Sequence, residues 1–245
     1  MHRFFVEPGQ VSENEIAITD PGDVKHMTRV LRAEPGDRVE VSDRADWEYV
    51  AEVTRVEPDS VFLRILDKQG FAREPDLQIT LFQGIPRAAK MDSVVQKSVE
   101  LGVREIVPVF CARTVVTDSG NMGKKAERWR KISAEAVKQC RRGIVPSVAD
   151  AMDFPEVPQA LAGFDVAIFP YENERERSLK DCLRNLAEKP KSLAVVIGPE
   201  GGFSDAEARD MRQAGAVSVS LGKTILRTET AGPAALAMIL YELEL

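Results

Sequence analysis

Residues 193–207 read LAVVIGPEGGFSDAE and carry the strongest structural signal in the chain. The apolar run that begins at Leu193 has the composition of a buried strand, which we predict over Leu193 to Gly198. The glycines that follow permit a tight turn, and the spacing of Ser204 and Glu207 is that of a capping box that begins a helix. A strand, a glycine-rich loop and a helix in this order favour an α/β fold with a parallel sheet.

The alternation of strands and helices extends to both sides of this stretch. Further predicted strands are Leu77 to Gln83, Ile106 to Phe110, Asp165 to Phe169 and Val217 to Leu221. The predicted helices are Lys90 to Leu101, Lys124 to Arg142, Glu174 to Glu188, Asp205 to Ala214 and Ala231 to Leu243. We therefore predict an α/β domain over residues 73–245 with a mostly parallel sheet and helices on its faces.

The first 72 residues follow a different pattern. Short alternating segments such as Arg38 to Ser42 and Tyr49 to Val53 are separated by turn-forming residues, among them Pro35-Gly36-Asp37. Short strands divided by turns are typical of a small β-barrel. We expect such a barrel over residues 1–72.

The composition is that of an ordinary globular chain, since 44% of its 245 residues are hydrophobic and 29% are charged. No apolar run approaches the roughly 20 residues of a membrane helix, and the start of the chain lacks the apolar stretch of a secretory signal. We expect a cytoplasmic protein without a membrane partner. The three cysteines are scattered and only two histidines are present, so we expect no metal site and no disulfide framework.

The net charge of -6 conceals a division along the chain. Residues 1–72 contain 9 Lys+Arg against 15 Asp+Glu, whereas residues 87–142 contain 13 Lys+Arg against 6 Asp+Glu. Because attraction to phosphate is screened within about 10 Å at moderate salt, local charge indicates partners better than the total does. The basic block is either an RNA-facing surface or a solvated helix face.

Two loops that follow predicted strands are candidates for a ligand site, because ligands of parallel α/β sheets bind at the carboxyl ends of the strands. The first is the glycine-rich segment 198–203, which lacks both the dinucleotide fingerprint and the terminal Lys-Ser/Thr of a P-loop. The second lies in residues 217–233, which read VSVSLGKTILRTETAGP. There Thr230 is the expected N-cap, which places Pro233 in the first helical turn.

Each loop has a purely structural interpretation beside the functional one. A Gly-Gly segment before a helix is often only a turn, and Arg227 can pair with Glu229 simply to fix its loop. The functional interpretation is that three apolar residues enclose an adenine while backbone groups contact its edge. Those residues are Leu221, Ile225 and Leu226.

The two loops together resemble the RsmE family, the 16S ribosomal RNA (uracil-N3)-methyltransferases of the SPOUT superfamily. The resemblance rests on IGPEGGF at residues 197–203 followed by LGKTILRTETA at residues 221–231. It extends upstream to KSVELGV at residues 97–103, to RGIVP at residues 142–146 and to the opening HRFFV. It therefore covers nearly the whole chain.

The resemblance implies a trefoil-knotted SPOUT domain, preceded by a PUA-like barrel that binds RNA, in a homodimer. It also implies S-adenosylmethionine as cofactor and 16S ribosomal RNA of the small ribosomal subunit as partner. The cofactor contacts that it implies are Tyr171, Ile197, Gly198, Pro199, Glu200, Gly201, Leu221, Gly222, Ile225, Leu226 and Thr228.

Methylation of uracil N3 requires removal of a proton, because this nitrogen is protonated at neutral pH. A carboxylate base would serve, and the candidates are Glu200 and Glu229. A cation that stabilises charge on O2 and O4 is the other solution, and it favours Arg142 and Arg227. We predict the arginines, since a carboxylate beside a developing anion opposes its formation. The catalytic candidates are thus Arg142, Arg227 and Glu229.

The predicted RNA contacts are Arg3, Arg29, Arg32, Lys97 and Arg113. Phe4 and Phe5, next to Arg3, have the alternative role of barrel core. Two other functions remain open from the sequence: a non-catalytic RNA-binding or ribosome-assembly factor with a SPOUT-like fold, and a metabolic enzyme that binds a nucleotide phosphate at the glycine-rich loop.

Overall fold

A computed structural model of the protein describes residues 1–71, 74–115 and 121–244. The chain divides into two compact units. The first contains Met1–Glu74 and the segment Val137–Val145, and the second contains Pro75–Ala136 and Pro146–Leu245. The predicted domain boundary between residues 72 and 73 lies outside the described residues. The inclusion of segment 137–145 in the first unit was not foreseen.

The first unit is built on a mixed five-stranded sheet in the order β1-β3-β4-β5-β2. Its strands are β1 (Arg3–Phe5), β2 (Glu15–Ile18), β3 (Arg38–Ser42), β4 (Trp47–Val56) and β5 (Val61–Gly70). Strands β1 and β3 are parallel, and the other pairs are antiparallel. A short helix α1 (Pro21–Lys25), capped by Asp20, runs into a π-helical turn at His26–Leu31. Phe4 and Phe5 are buried, as the core interpretation predicted.

Segment 137–145 is fixed in the first unit by one carboxylate. Glu74 accepts hydrogen bonds from the backbone N–H groups of Gly143 (2.8 Å) and Ile144 (3.0 Å) and forms an ion pair with Arg142 at 2.7 Å. The Ser42 hydroxyl donates to the carbonyl of Gly143. These buried polar contacts attach the segment at a defined position.

The second unit is a parallel seven-stranded sheet with helices. Its strands are β6 (Gln78–Gly84), β7 (Glu105–Phe110), β8 (Ser147–Val148), β9 (Met152–Asp153), β10 (Val166–Pro170), β11 (Ser192–Ile197) and β12 (Val217–Val219). The order is β12-β10-β11-β6-β7-β8, and β9 also pairs with β7. The helices are α2 (Lys90–Glu100), α3 (Met122–Cys140), α4 (Val157–Leu161), α5 (Leu179–Arg184), α6 (Asp205–Gln213) and α7 (Thr228–Leu243). Strand β11, the apolar run of the opening motif, is buried at the centre of this sheet.

The predicted helix Glu174 to Glu188 is wrong in extent, because only Leu179–Arg184 is helical. The Glu174 carboxylate accepts hydrogen bonds from the Ser218 hydroxyl and from backbone N–H groups of Glu176 and Arg177. These bonds form a turn that competes with a helix. The helix begins after Ser178, whose hydroxyl caps it by accepting from the Asp181 backbone N–H.

The start of the last helix was also predicted wrongly. Arg227, with extended backbone, is the N-cap of α7, so Thr230 lies inside the first turn. Pro233 consequently lies within the helix rather than in its first turn.

Within the described residues, no helix has the length and apolar character required to cross a membrane. The same part of the chain contains no cluster of His, Cys, Asp and Glu suited to a metal ion.

Candidate active site

A cavity of about 540 Å³ lies at the carboxyl ends of three neighbouring strands, β10, β11 and β12. The segments that follow these strands line it, as the general rule for parallel sheets predicts. The lining includes every residue predicted to contact the cofactor: Tyr171, Ile197, Gly198, Pro199, Glu200, Gly201, Leu221, Gly222, Ile225, Leu226 and Thr228. Two separate sequence motifs thus form one concave site.

The loop after β11 is shaped by close backbone approaches. A Cβ on Gly84, the last residue of β6, would lie 2.6 Å from the backbone nitrogen of Pro199. Gly202 has φ +65, a conformation that favours glycine, and its N–H donates to the Pro199 carbonyl at 2.9 Å. The capping box of Ser204 and Glu207 then begins α6, as predicted.

The loop after β12 exposes its backbone to the cavity. Gly222 has φ +145, and a Cβ there would meet no atom within 4 Å. The Ser220 hydroxyl fixes the turn, since it donates to the Gly222 carbonyl at 3.0 Å. The space beside Gly222 is therefore open to a ligand. Glycine is favoured here by the positive φ and not by contact with a neighbouring atom.

Thr228 joins the two loops through its buried hydroxyl. The hydroxyl donates to the Gly198 carbonyl at 2.6 Å and accepts from Gln83 Nε2 at 2.9 Å. Gln83 is fully buried at the end of β6. Sequence reasoning missed Gln83, because nothing local distinguishes a glutamine at the end of a strand from an exposed one.

Lys90, the first residue of α2, also lines the cavity and was not predicted. Its Nζ lies 2.9 Å from Glu200 Oε1 and 3.4 Å from Glu229 Oε2. Hydrogen bonding to Glu200 raises the pKa of Lys90. Burial tends to raise the pKa of Glu200, but hydrogen bonds from Lys90 and the Arg87 backbone N–H outweigh it and the pKa is lowered.

The segment after β10 contributes Tyr171. Its hydroxyl donates to Asp205 Oδ1 at 3.2 Å, and its ring lies beside Phe169 and under the Arg212 guanidinium. The ring contacts and the bonded hydroxyl favour one orientation of this side chain.

Two family models match the sequence. One described as "RNA methyltransferase domain" matches residues 73–240, and one described as "RNA methyltransferase PUA domain" matches residues 18–66. A Bacillus subtilis protein named Ribosomal RNA small subunit methyltransferase E is 33% identical, over all of this chain and 98% of the relative. The chain belongs to this RsmE family.

Two further members of the RsmE family match this chain over nearly their full length. The Aquifex aeolicus relative is 32% identical over 94% of this chain and 95% of its own. The crystal structure of the Neisseria gonorrhoeae member bound to S-adenosyl methionine has a TM-score of 0.84 at 31% identity, covering 98% of this chain and 97% of that chain. The predicted α/β class and PUA-like N-terminal domain are confirmed, whereas the knot stays a prediction.

The charged residues predicted as catalytic in this RsmE-family chain have three different surroundings. Arg227 is exposed and lines the cavity. Glu229 is not among the described lining residues, and its carboxylate faces Lys90. Arg142 belongs to the first unit, where its side chain is 5% exposed and pairs with Glu74. Its guanidinium thus has a structural role that the sequence did not indicate.

Four of the five predicted RNA contacts are exposed: Arg29, Arg32, Lys97 and Arg113. Arg3 requires a correction, because its side chain is 4% exposed and pairs with Glu40 at 3.4 Å and with Glu48. A guanidinium held by two carboxylates in the sheet is not part of an exposed basic face.

Proposed function

We propose that this chain transfers a methyl group from S-adenosylmethionine to N3 of a uridine in 16S ribosomal RNA. Membership of the RsmE family shows the broader activity, S-adenosylmethionine-dependent methylation of small-subunit ribosomal RNA. The N3 position is the part that we propose. The observation that most supports methyl transfer by this chain is that the two loops of the family resemblance line a single cavity.

The cavity suits S-adenosylmethionine in size and chemistry. Its volume of about 540 Å³ falls within the range of roughly 300–1,000 Å³ for small-molecule sites. Half-buried Leu221 and Leu226 offer apolar surface to an adenine, and the open backbone at Gly222 permits close contact. Glu172 and Arg175 line the same cavity with opposite charges, which matches the amino-acid end of the cofactor. When bound, the cofactor supplies an electrophilic methyl group.

The chain's own contribution is alignment and charge stabilisation, because direct displacement needs an oriented nucleophile. Arg227 lines the cavity and is exposed, so its guanidinium is available to stabilise negative charge on uracil O2 or O4 as N3 loses its proton. Glu229 is the weaker candidate for the base, since Lys90 already engages its carboxylate. We therefore assign charge stabilisation to Arg227.

The substrate must present an unpaired uracil, because N3 lies at the centre of a base pair. Each unit has exposed cations that are available to RNA phosphates: Arg29 and Arg32 in the first, and Lys97 and Arg113 in the second. Arg113 Nη1 also donates to the Gly201 carbonyl at 2.8 Å, which connects this cation to the cofactor loop. We propose these four residues as the RNA contacts.

We further propose that the protein is a cytoplasmic homodimer. Helix α7 supports the dimer, because Met238 is 41% and Tyr241 71% exposed near its end. These residues are three positions apart and so share one helix face. Exposed apolar side chains grouped in this way favour an interface with a second copy.

The test is incubation with labelled cofactor and small subunits from a strain that lacks the modification, followed by nucleoside analysis. We expect the label in 3-methyluridine alone. Label in another nucleoside would refute the N3 assignment. Normal binding of S-adenosylmethionine in titration, with no label in any RNA, would instead indicate a non-catalytic factor.

A further inference from the structure

Lys90 contacts two segments of the cavity wall that are far apart in the sequence. Its ammonium group lies 2.9 Å from Glu200 in the loop after β11 and 3.4 Å from Glu229 in the first turn of α7. Both carboxylates are partly buried, with side-chain exposures of 27% and 21%. One side chain thus connects the two motifs that enclose the proposed cofactor site.

The position of Lys90 is unfavourable for its own helix. It is the first residue of α2, where the partial positive charge of the helix end repels a cation. The turn before it contains Ala88 at φ +54, a conformation that costs energy for a residue other than glycine. This turn places the Arg87 N–H 3.1 Å from Glu200 Oε1. The cation at the helix start and the strained turn at Ala88 are both locally unfavourable, and both bring hydrogen-bond donors to Glu200.

Glu229 depends on Lys90 for electrostatic compensation. Its Oε2 atom is buried and accepts no hydrogen bond from the described residues, so the Lys90 ammonium is the opposite charge that it faces. A partly buried carboxylate that loses such a partner is an uncompensated charge, and it reaches water only if its backbone or side chain moves. Movement of the backbone would displace the first turn of α7, where neighbouring Thr228 bonds to the Gly198 carbonyl.

We propose that Lys90 is a positioning residue that holds the loop after β11 and the start of α7 at the separation required for S-adenosylmethionine. The inference rests on the proposed function, because it assumes that this cofactor occupies the cavity. Lys90 does not act on the reacting atoms, since two carboxylates face its single charge. Its effect is on the affinity of the cofactor rather than on the methyl-transfer step.

The experiment compares Lys90→Met with the wild-type protein. The methionine keeps most of the stem and removes the charge. We expect the Kd for S-adenosylmethionine, measured by calorimetry, to rise about tenfold while kcat at saturating cofactor stays within about twofold. Lys90→Arg keeps the charge and should return the Kd to within about threefold of wild type.

Two controls separate positioning from a general effect of charge. Lys180→Met removes a charge from an exposed residue of α5 and should leave Kd and kcat unchanged. In a double-mutant cycle, Lys90→Met and Glu229→Gln should be strongly non-additive, with a combined change in Kd well below the product of the two single changes. Circular dichroism checks that each variant is folded.

The proposal is overturned if Lys90→Met lowers kcat with an unchanged Kd, if it changes neither quantity, or if the cycle is additive. A failure of the proposed function is distinguishable. In that case the wild-type protein fails to bind the cofactor or to methylate RNA, while coupling between Lys90 and Glu229 still appears when the same cycle is measured by urea unfolding. If Lys90→Met does not fold, Lys90→Gln removes the same charge and provides the same comparison of Kd with kcat.

Discussion

The Thr228 hydroxyl both donates and accepts a hydrogen bond at a buried position. It donates to the Gly198 carbonyl and accepts from Gln83, while the residue itself is 6% exposed. A buried polar group that loses its partner retains its full desolvation penalty. The hydroxyl thus connects the start of α7 to the loop after β11 and to the end of β6.

Thr228→Val retains the shape of this side chain and removes the oxygen. We expect the free energy of unfolding to fall by about 1–3 kcal/mol, because Gln83 Nε2 and the Gly198 carbonyl each lose a partner. Urea denaturation measures the change. Thr230→Val, at an exposed position of the same helical turn, is the matched control and should stay within about 0.5 kcal/mol. Equal effects at both positions would refute the role of the hydroxyl.

Local sequence patterns predicted the turns and caps of the site, and the family resemblance predicted its other residues. The glycines of the two loops and the capping box at Ser204 were predicted, because turns and caps depend on adjacent residues. Lys90 and Gln83 were missed, since each acts on residues more than a hundred positions away. Arg142 was placed in the site by resemblance, whereas its partner Glu74 follows from tertiary structure alone.

The strands were easier to predict than the helix ends. Strands β6, β7, β10 and β11 lie within about one residue of the predicted bounds, because buried parallel strands appear as continuous apolar runs. Helix α5 was predicted too long, since hydrogen bonds from Ser218 and nearby backbone groups to Glu174 favour a turn. Helix α7 begins three residues before the predicted start, and no side chain caps it.

The contact between the end of β6 and the loop after β11 leads to a prediction for Gly84→Ala. The added Cβ would lie 2.6 Å from the Pro199 nitrogen and 2.8 Å from the Gly198 carbonyl carbon, so one backbone must move. We expect a loss of about 1–3 kcal/mol in the free energy of unfolding and a rise in the Kd for S-adenosylmethionine. Gly70→Ala at the end of β5, where a Cβ meets nothing within 4 Å, should change neither. A normal Kd for Gly84→Ala would contradict the assigned loop geometry.

For the molecule as a whole, segment 137–145 belongs to the first unit. We therefore expect Arg142 to contribute to stability. Arg142→Ala leaves the Glu74 carboxylate with its backbone donors and without the buried guanidinium. We expect the free energy of unfolding to fall by about 3 kcal/mol, as measured by urea denaturation. Exposed Arg141→Ala, with the same change in net charge, should have little effect. Full stability with methylation reduced at least about a hundredfold would instead support the predicted catalytic role of Arg142.

The proposed homodimer is tested through the exposed face of α7. Tyr241→Asp introduces a charge beside Met238 and should shift the protein toward the 27.1 kDa monomer in sedimentation experiments. Burial of an unpaired charge in an apolar interface is strongly unfavourable. Val56→Asp, on an exposed apolar residue of the first unit, should leave the assembly unchanged. An unaltered sedimentation profile for Tyr241→Asp would exclude this helix face.

The strand order of the second unit also determines when the protein folds during its synthesis. Strand β6 is made first, but its neighbour β11 emerges only after most of the unit has been translated. Sheets that depend on such distant pairings form slowly, because the intervening chain must be closed before the contacts stabilise it. Until then the backbone N–H and C=O groups on that edge of β6 have no partner, and nascent chains are exposed to aggregation. The cofactor cavity, which also requires β12 and α7, is therefore complete only after α7 has been synthesised.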